Sequence, residues 1–159
     1  MIEGGCLCGA IRYRVSRSHL SATNCYCAMC RKAHGGAFST HVPMRRDQLQ
    51  ILRGELKIYA SSQHGRREYC PDCGTHILVH GQIADDSIAV PAGTLDGDPP
   101  VSVTSHIFVK DIVSWYSILD ELPRFDGWPP GVVFTCSEKT HEDETVDDPV
   151  RDNDRDVDR

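Results

Sequence analysis

The placement of the cysteines constrains this chain more than any other feature of its sequence. Seven of its eight cysteines fall into three short groups: Cys6 with Cys8, the run CYCAMC at residues 25–30, and Cys70 with Cys73. Cysteines two or three residues apart rarely close an unstrained disulfide on each other. The grouping therefore favours metal binding over a disulfide framework.

Two of the three groups look like halves of one metal site. The segment CPDCG at residues 70–74 has the form of a zinc knuckle, in which Gly74 permits the positive φ that the turn needs. The segment CLCG at residues 6–9 looks like the matching half, because residues i and i+2 of an extended segment face the same way. Four thiolates predict a closed, structural zinc site, and four buried free cysteines are the alternative.

The third group offers three sulfurs, from Cys25, Cys27 and Cys30, to a single ion. A fourth ligand can come from Cys136, from a histidine or from water, and the sequence leaves this choice open. Three protein ligands with an exchangeable fourth position are typical of a catalytic zinc site. Sulfur-rich zinc suits a soft ligand such as a substrate thiol, which coordination deprotonates. The residues therefore indicate thiol activation without naming the thiol.

The rest of the sequence predicts one all-β domain. The chain has 159 residues, of which 40% are hydrophobic, and these values fit a single globular domain. Short alternating or β-branched runs, separated by Gly and Pro turns, predict antiparallel strands over residues 1–135. The runs expected to be strands are AIRYRV, AFSTHV, LQIL, LKIYA, THILVH, SIAV and TSHIFV.

Two segments have some helical character. The run AMCRKAHG, at residues 28–35, predicts one or two helical turns that end at Gly35. The run VKDIVSWYSILDELP, at residues 109–123, is the other candidate. It can equally be the end of a strand through residues 107–109, followed by a turn around Ser114 and Trp115.

The negative charge of the chain is concentrated in its last residues. The net charge is −6, yet residues 1–135 carry 13 basic and 13 acidic side chains, whereas residues 136–159 carry 4 and 10. A segment so rich in charge and so poor in apolar residues predicts a flexible acidic tail, with an interaction arm as the alternative. A neutral body with an acidic tail argues against nucleic-acid binding.

The sequence predicts neither a membrane segment nor export. The opening run MIEGGCLCGAIRYRV has no basic leader and no long apolar stretch, and no apolar run approaches the length of a membrane span. We therefore expect a cytoplasmic protein, since thiols stay reduced in that compartment.

Five segments together resemble the glutathione-dependent formaldehyde-activating enzyme family, which includes centromere protein V. They are GGCLCGAIRY, CYCAMCRKAHGGAF, YCPDCGTHI, SHIFV and LPRFDGWPP, spread over about residues 4–130. The resemblance implies a zinc-bearing β-tent of antiparallel sheets with two zinc ions per chain. The implied ligands are Cys6, Cys8, Cys70 and Cys73 for a structural zinc, and Cys25, Cys27 and Cys30 for a catalytic zinc. The implied activity is that of a carbon–sulfur lyase, S-(hydroxymethyl)glutathione synthase, which joins formaldehyde to glutathione.

Residues beyond the cysteines are candidates for substrate binding. Arg31 and Lys32 follow the third cysteine group directly, so they can balance the charge of a three-thiolate zinc or hold an anionic substrate. Ordinary surface cations are the alternative, and Arg66 and Arg67 are further cations that can bind the carboxylates of glutathione. A general acid would assist the addition to an aldehyde. The candidates are His106, which lies in the SHIFV segment of the resemblance, and His76, His34 and Tyr26.

Two other functions fit the same sequence. One is a two-zinc β scaffold that binds a partner and has no catalytic activity. The other is an enzyme of the same fold that acts on a different thiol or a different carbonyl compound.

Overall fold

The computed structural model describes residues 1–62, 65–80 and 86–130. The strands of this part are β1 (Ile2–Gly5), β2 (Arg12–Val15), β3 (Leu20–Cys25), β4 (Ser39–Arg45), β5 (Leu49–Arg53), β6 (Lys57–Ala60), β7 (Arg66–Tyr69), β8 (His76–His80), β9 (Ser87–Pro91), β10 (Val101–Ile107) and β11 (Arg124–Phe125). One helix, α1, spans Ala28–His34, and short 3-10 turns cover Arg46–Gln48, Ala92–Thr94 and Val109–Asp111. The predicted all-β class is confirmed.

The strands form two sheets. The small sheet has the order β1-β2-β5, and the large sheet has the order β11-β10-β3-β4-β9-β8-β7-β6. Most neighbours are antiparallel, as predicted, but β10 runs parallel to both β3 and β11. A parallel neighbour needs a crossover connection, and here the chain leaves β9 and returns on the far side of β3. Strand periodicity alone does not reveal such a crossover.

The predicted strand runs coincide with β2, β4, β5, β6, β8, β9 and β10. Strands β1, β3, β7 and β11 were not predicted, because their local sequence patterns are weak. Strand β1 reads IEGG with two glycines, and β7 reads RREY with three charged side chains. Strand β11 has only two residues.

The helix predictions had different outcomes. Helix α1 ends where the sequence predicts, with Gly35 as a left-handed C-cap at φ 68°. The second helical candidate, at residues 109–123, does not form an α-helix. It adopts the alternative conformation, the end of a strand followed by a turn. Strand β10 ends at Ile107, a 3-10 turn covers Val109–Asp111, and a further turn lies at Ser114 and Trp115.

The core lies between the two sheets. Tyr13 and Val15 of β2 are fully buried, whereas Arg12 and Arg14, which alternate with them, are only partly buried, as the alternating pattern predicts. The hydroxyl groups of Tyr13 and Thr94 are 2.7 Å apart, so a hydrogen bond joins the small sheet to the turn after β9. The large sheet contributes apolar side chains to the same core: Leu20, Ala22, Val42, Met44, Ile88 and Val90.

The opposite face of the large sheet is covered by α1. Along β3, Leu20 and Ala22 point into the core, so Cys25 belongs to the other face. Ser39 of β4 pairs with Cys25 and is also buried on this face. This second face positions the candidate site, because α1 begins directly after the CYC segment.

Two of the sequence predictions concern residues outside the described ranges. Residues 131–159 are not described, so the predicted tail at 136–159 and Cys136 stay predictions. None of the described helices is long and apolar enough to span a bilayer.

Replacing Gly54 by alanine is expected to lower the free energy of unfolding by about 2 kcal/mol or more. Gly54 has φ 81°, and a Cβ atom there would lie 2.5 Å from the carbonyl oxygen of Ala10 and 2.6 Å from Ile11 Cδ1. Urea unfolding measures the change. Gly127→Ala is the matched control, since its Cβ would meet open space, and equal stability losses in the two variants would contradict the prediction.

Candidate metal centres

The four cysteines of the two predicted half-sites lie together. The sulfur atoms of Cys6, Cys8, Cys70 and Cys73 are all within 4.8 Å of one another. The Sγ atom of Cys8 is 3.4 Å from that of Cys6 and 3.8 Å from that of Cys70. Tetrahedral zinc with Zn–S bonds of about 2.3 Å sets its sulfurs about 3.8 Å apart. The donor set and its spacing therefore fit a four-thiolate metal site.

The two turns that carry these cysteines share one backbone pattern. The amide of the first cysteine, Cys6 or Cys70, donates to the carbonyl five residues later at 3.1 and 2.9 Å. The glycine after the second cysteine, Gly9 or Gly74, has φ of 76° or 73° and donates back to the first cysteine at 3.0 Å. This confirms the positive φ that the sequence predicts for Gly74.

Hydrogen bonds support thiolates in this cluster. The amide of Ile11 donates to Cys6 Sγ at 3.1 Å, and the hydroxyl of Thr75 lies 3.2 Å from Cys73 Sγ. The Thr75 hydroxyl, helped by backbone amides, lowers the pKa of Cys73 to about 5. Burial and the neighbouring sulfurs instead raise the pKa of the other two cysteines of the cluster. Because metals bind the thiolate form of cysteine, a bound cation would have to displace the protons of those two thiols.

The CYCAMC run forms a second cluster at the start of α1. The sulfur atoms of Cys25, Cys27 and Cys30 lie within 4.8 Å of one another. Cys25 ends β3, Cys27 is the N-cap of α1 and Cys30 lies in the first helical turn. The Cys27 sulfur accepts the Cys30 amide at 3.4 Å, which replaces the usual hydroxyl or carboxylate cap. The change from strand to helix thus directs three sulfurs to one point.

The charges of this cluster also suit a cation. The thiols of Cys25 and Cys30 lower the pKa of Cys27, and its negative charge in turn raises the pKa of Cys25. Without a cation, therefore, only one of the three thiols is easily deprotonated. A bound cation would replace the protons of the other two thiols. Arg67, which is 7% exposed, places its Nη2 atom 3.6 Å from Cys30 Sγ.

The second cluster has no fourth ligand in the described part of the chain. No further cysteine, histidine, aspartate or glutamate ligand atom joins the three sulfurs within metal-binding distance there. A histidine as fourth ligand is therefore absent from the described residues. Cys136 is outside them, and water or a substrate atom are the remaining candidates.

The predicted substrate residues differ in burial and in their hydrogen-bond partners. Arg31 is half-buried and donates from Nε to the carbonyl oxygen of Tyr26 at 3.1 Å, whereas Lys32 is exposed. His106 is 1% exposed, and both ring nitrogens are engaged. Its Nε2 atom donates to the Asp120 carboxylate at 2.9 Å, so its Nδ1 atom accepts from the Tyr26 hydroxyl at 3.0 Å. His106 thus reaches the cysteine segment through Tyr26.

A cavity of about 460 Å³ lies between α1, β4 and the CPDCG turn. His34 and His76 line it, and His76 Nδ1 is 3.1 Å from His34 Nε2. Because His76 Nε2 donates to the Leu78 carbonyl at 3.0 Å, Nδ1 is its acceptor and His34 donates to it. Burial lowers the pKa of His76 to about 4, so both nitrogens keep these roles near neutral pH. Arg31, Lys32 and His106 are not among the lining residues described.

Sequence reasoning missed two buried polar residues close to the second cluster. Ser39 and His41 lie on β4, on the face that α1 covers, and neither residue belongs to a motif. The only local signal is that this serine and histidine alternate with Phe38, Thr40 and Val42 in a run that otherwise reads as a strand. Their relation to the cysteines depends on strand pairing, which the sequence does not show.

A β-sheet protein with two cysteine clusters that can each hold a metal ion is the class that this fold and these sites define. The family model described as glutathione-dependent formaldehyde-activating enzyme matches residues 1–111. The chain belongs to this family.

Two relatives extend the comparison. A Halomonas elongata protein named "Putative glutathione-dependent formaldehyde-activating enzyme" is 30% identical over 129 residues, which cover 74% of this chain and 81% of that protein. A crystal structure of a Rhodobacter sphaeroides protein has a similar fold, with a TM-score of 0.53 and 21% identity. That similarity covers 77% of this chain and 98% of the other, and it concerns the fold alone.

Proposed function

We propose that this protein is a zinc-dependent enzyme that joins a small thiol, glutathione, to an aldehyde, formaldehyde. The product is S-hydroxymethylglutathione, which makes the enzyme a carbon–sulfur lyase acting in the direction of synthesis. The observation that carries the proposal is the cluster of Cys25, Cys27 and Cys30, to which the described residues add no fourth ligand. The family and the name of the Halomonas elongata relative support the choice of substrates.

The two clusters have different roles in this proposal. Cys6, Cys8, Cys70 and Cys73 hold a structural zinc, and Cys25, Cys27 and Cys30 hold a catalytic one. When bound there, zinc stabilises the thiolate of the substrate at its fourth coordination position. Thiolate donors are the reason to choose zinc, since soft sulfur ligands and a tetrahedral arrangement select it.

The chain's own residues then balance charge and orient the reactants. Three thiolates on a divalent zinc leave one negative charge, and Arg67 lies beside Cys30 to offset it. Arg31 and Lys32 lie in the last turn of α1, and in this proposal they bind the carboxylates of glutathione. His106 has an indirect role in this proposal: its hydrogen bond to the Tyr26 hydroxyl holds the residue that separates Cys25 from Cys27 in the sequence.

The location and partners follow from the same chemistry. We propose a cytoplasmic protein, because free thiols persist there and glutathione is held reduced. Nucleic acid is not a proposed partner, since residues 1–135 carry equal numbers of acidic and basic side chains.

A panel of thiol and aldehyde pairs tests the proposed function. The zinc-loaded full chain is expected to accelerate adduct formation, most strongly for glutathione with formaldehyde, and removal of zinc by a chelator should abolish the effect. Product formation is followed by NMR, with the uncatalysed reaction subtracted. Acceleration with another pair instead would identify a same-fold enzyme with a different substrate. Tight thiol binding without acceleration of any pair would contradict the proposal and favour a binding module.

A further inference from the structure

The described part of the chain contains four buried side-chain atoms without a hydrogen-bond partner, and they belong to only three residues. They are Ser39 Oγ, Arg67 Nη1 and both ring nitrogens of His41. A buried polar group without a partner carries the full cost of its desolvation, and a charged group costs more. Such groups indicate a ligand that completes them.

The strand register places these three residues on one face of the large sheet. Cys25 pairs with Ser39, and His41 and Pro43 follow at alternate positions of β4. Pro43 pairs with Ala89, Ala89 with Val79, and Val79 with Arg67. Since paired residues share a face, Ser39, His41 and Arg67 lie on the same side as Cys25, beneath α1.

The two terminal nitrogen atoms of the Arg67 guanidinium group have different surroundings. Its Nη2 atom is directed at Cys30 Sγ at 3.6 Å, while its Nη1 atom has no partner. No carboxylate lies within ion-pair distance of Arg67 in the parts of the chain that the structure describes. The Nη2 atom of this buried cation therefore faces the three-cysteine cluster, and its Nη1 atom has no anionic partner.

His41 is a neutral donor next to this cation. Its ring lies 5.5 Å from that of His34, which lines the cavity. Burial, together with the charges of His34, His76 and Arg67, lowers the pKa of His41 to about 3. A neutral imidazole offers one N–H donor in either tautomer, and here that donor has no acceptor.

We propose that Arg67 and His41 form a buried anion-binding subsite beside the three-cysteine cluster, and that it receives the oxygen of the carbonyl substrate as this oxygen becomes an alkoxide. The inference rests on the proposed function, because the alkoxide arises only if a thiolate adds to a carbonyl group. Formaldehyde has no other atom that a protein can hold by hydrogen bonds, so donors at this oxygen are the means of orienting it.

The step balances without a redox partner. The thiolate sulfur forms a bond to the carbonyl carbon, and the π electron pair of the C=O bond moves to the oxygen. Arg67 and His41 donate hydrogen bonds to that oxygen while it is negatively charged. A proton from solvent then completes the hydroxyl group and replaces the proton that the thiol released when it was bound.

Binding of two small thiols to the cobalt-loaded full chain tests the subsite without catalysis. Thioglycolate carries a carboxylate close to its sulfur and imitates the anionic adduct, whereas 2-mercaptoethanol is neutral. Changes in the visible absorption of Co²⁺ report each dissociation constant, and the saturated four-cysteine site adds only a constant background. The wild type should prefer thioglycolate, and Arg67→Met should reduce that preference about 10- to 100-fold, as expected for a lost charged hydrogen bond.

Three further variants make the result specific. His41→Phe keeps the ring shape and removes the donor, so it should also reduce the preference, and Arg67→Lys should restore part of it. Lys57→Met is the matched control, because Lys57 is an exposed cation on the neighbouring strand β6. The measured quantity is a ratio of two affinities at equal cobalt content, so weaker metal binding alone does not change it.

The outcomes separate this inference from the proposed function. Equal preference in the wild type and in Arg67→Met and His41→Phe would overturn the anion subsite, even if the enzyme condenses glutathione with formaldehyde. A preference that depends on Arg67 and His41 but not on Lys57 supports the subsite. If that result comes with no activity on any pair of the panel, the proposed reaction fails, and the subsite binds a thiol that carries its own carboxylate.

Discussion

Replacing Cys73 by serine is expected to lower the free energy of unfolding by at least about 4 kcal/mol and to remove one of two bound zinc ions. The reason lies in what the four-cysteine cluster connects. Cys6 and Cys8 lie in the turn between β1 and β2 of the small sheet, and Cys70 and Cys73 lie in the turn between β7 and β8 of the large sheet. An ion bound there would link the two sheets, so its loss would remove one of the connections between them. Thermal unfolding and zinc analysis of the same preparation measure both effects.

Asp72→Asn is the control for this experiment, since Asp72 lies in the same turn with an exposed side chain and is not part of the four-cysteine cluster. It should keep two zinc ions and the wild-type melting temperature. If Cys73→Ser also kept both ions and melted with the wild type, the four-cysteine cluster would have no structural role.

Replacing Cys27 by serine is expected to remove the other ion and to lower activity by more than about 100-fold, because even residues that only support metal ligands cost 10- to 100-fold. The fold should survive this change. The cluster of Cys25, Cys27 and Cys30 lies at the start of α1, away from the junction of the sheets. Serine is also a favoured N-cap residue, so the hydroxyl can replace the sulfur that accepts the Cys30 amide. Zinc content, melting temperature and the rate of adduct formation are measured together.

The comparison with Cys73→Ser makes this prediction specific. Each variant should lose one ion, but Cys73→Ser should lose mainly stability and Cys27→Ser mainly activity. A Cys27→Ser protein with two ions and full activity would show that this cluster is not the reaction centre. A Cys27→Ser protein that unfolds like Cys73→Ser would show that both clusters are structural.

The cysteine clusters were predictable because the cysteines within each group are only two or three positions apart in the sequence. The knuckle at residues 70–74 specifies its own turn, including the positive φ of Gly74, and CYCAMC needs only a strand that ends and a helix that begins. The all-β class was predictable from short strand-like runs, since the alternation at β2 and the β-branched runs elsewhere reflect local burial.

The buried polar groups were not predictable, because they depend on pairing across many strands. Arg67 reaches Cys30 through a sheet in which β4, β9, β8 and β7 are adjacent, and no local pattern reveals that order. His106 lies next to Asn24 because β10 runs parallel to β3, and this pairing buries it against Tyr26. The side-chain chemistry of Arg67 and His106 makes both residues candidates for a site. Only the fold shows which of their polar atoms have hydrogen-bond partners.

The most direct test of the account is exchange NMR on a mixture of glutathione and formaldehyde, with wild type and Cys27→Ser compared at equal zinc occupancy of the four-cysteine site. The account predicts that wild type accelerates exchange between free glutathione and its hydroxymethyl adduct, and that Cys27→Ser leaves the uncatalysed rate unchanged. Equal exchange rates for wild type, Cys27→Ser and buffer alone would contradict the claim that the three-cysteine cluster activates a thiol.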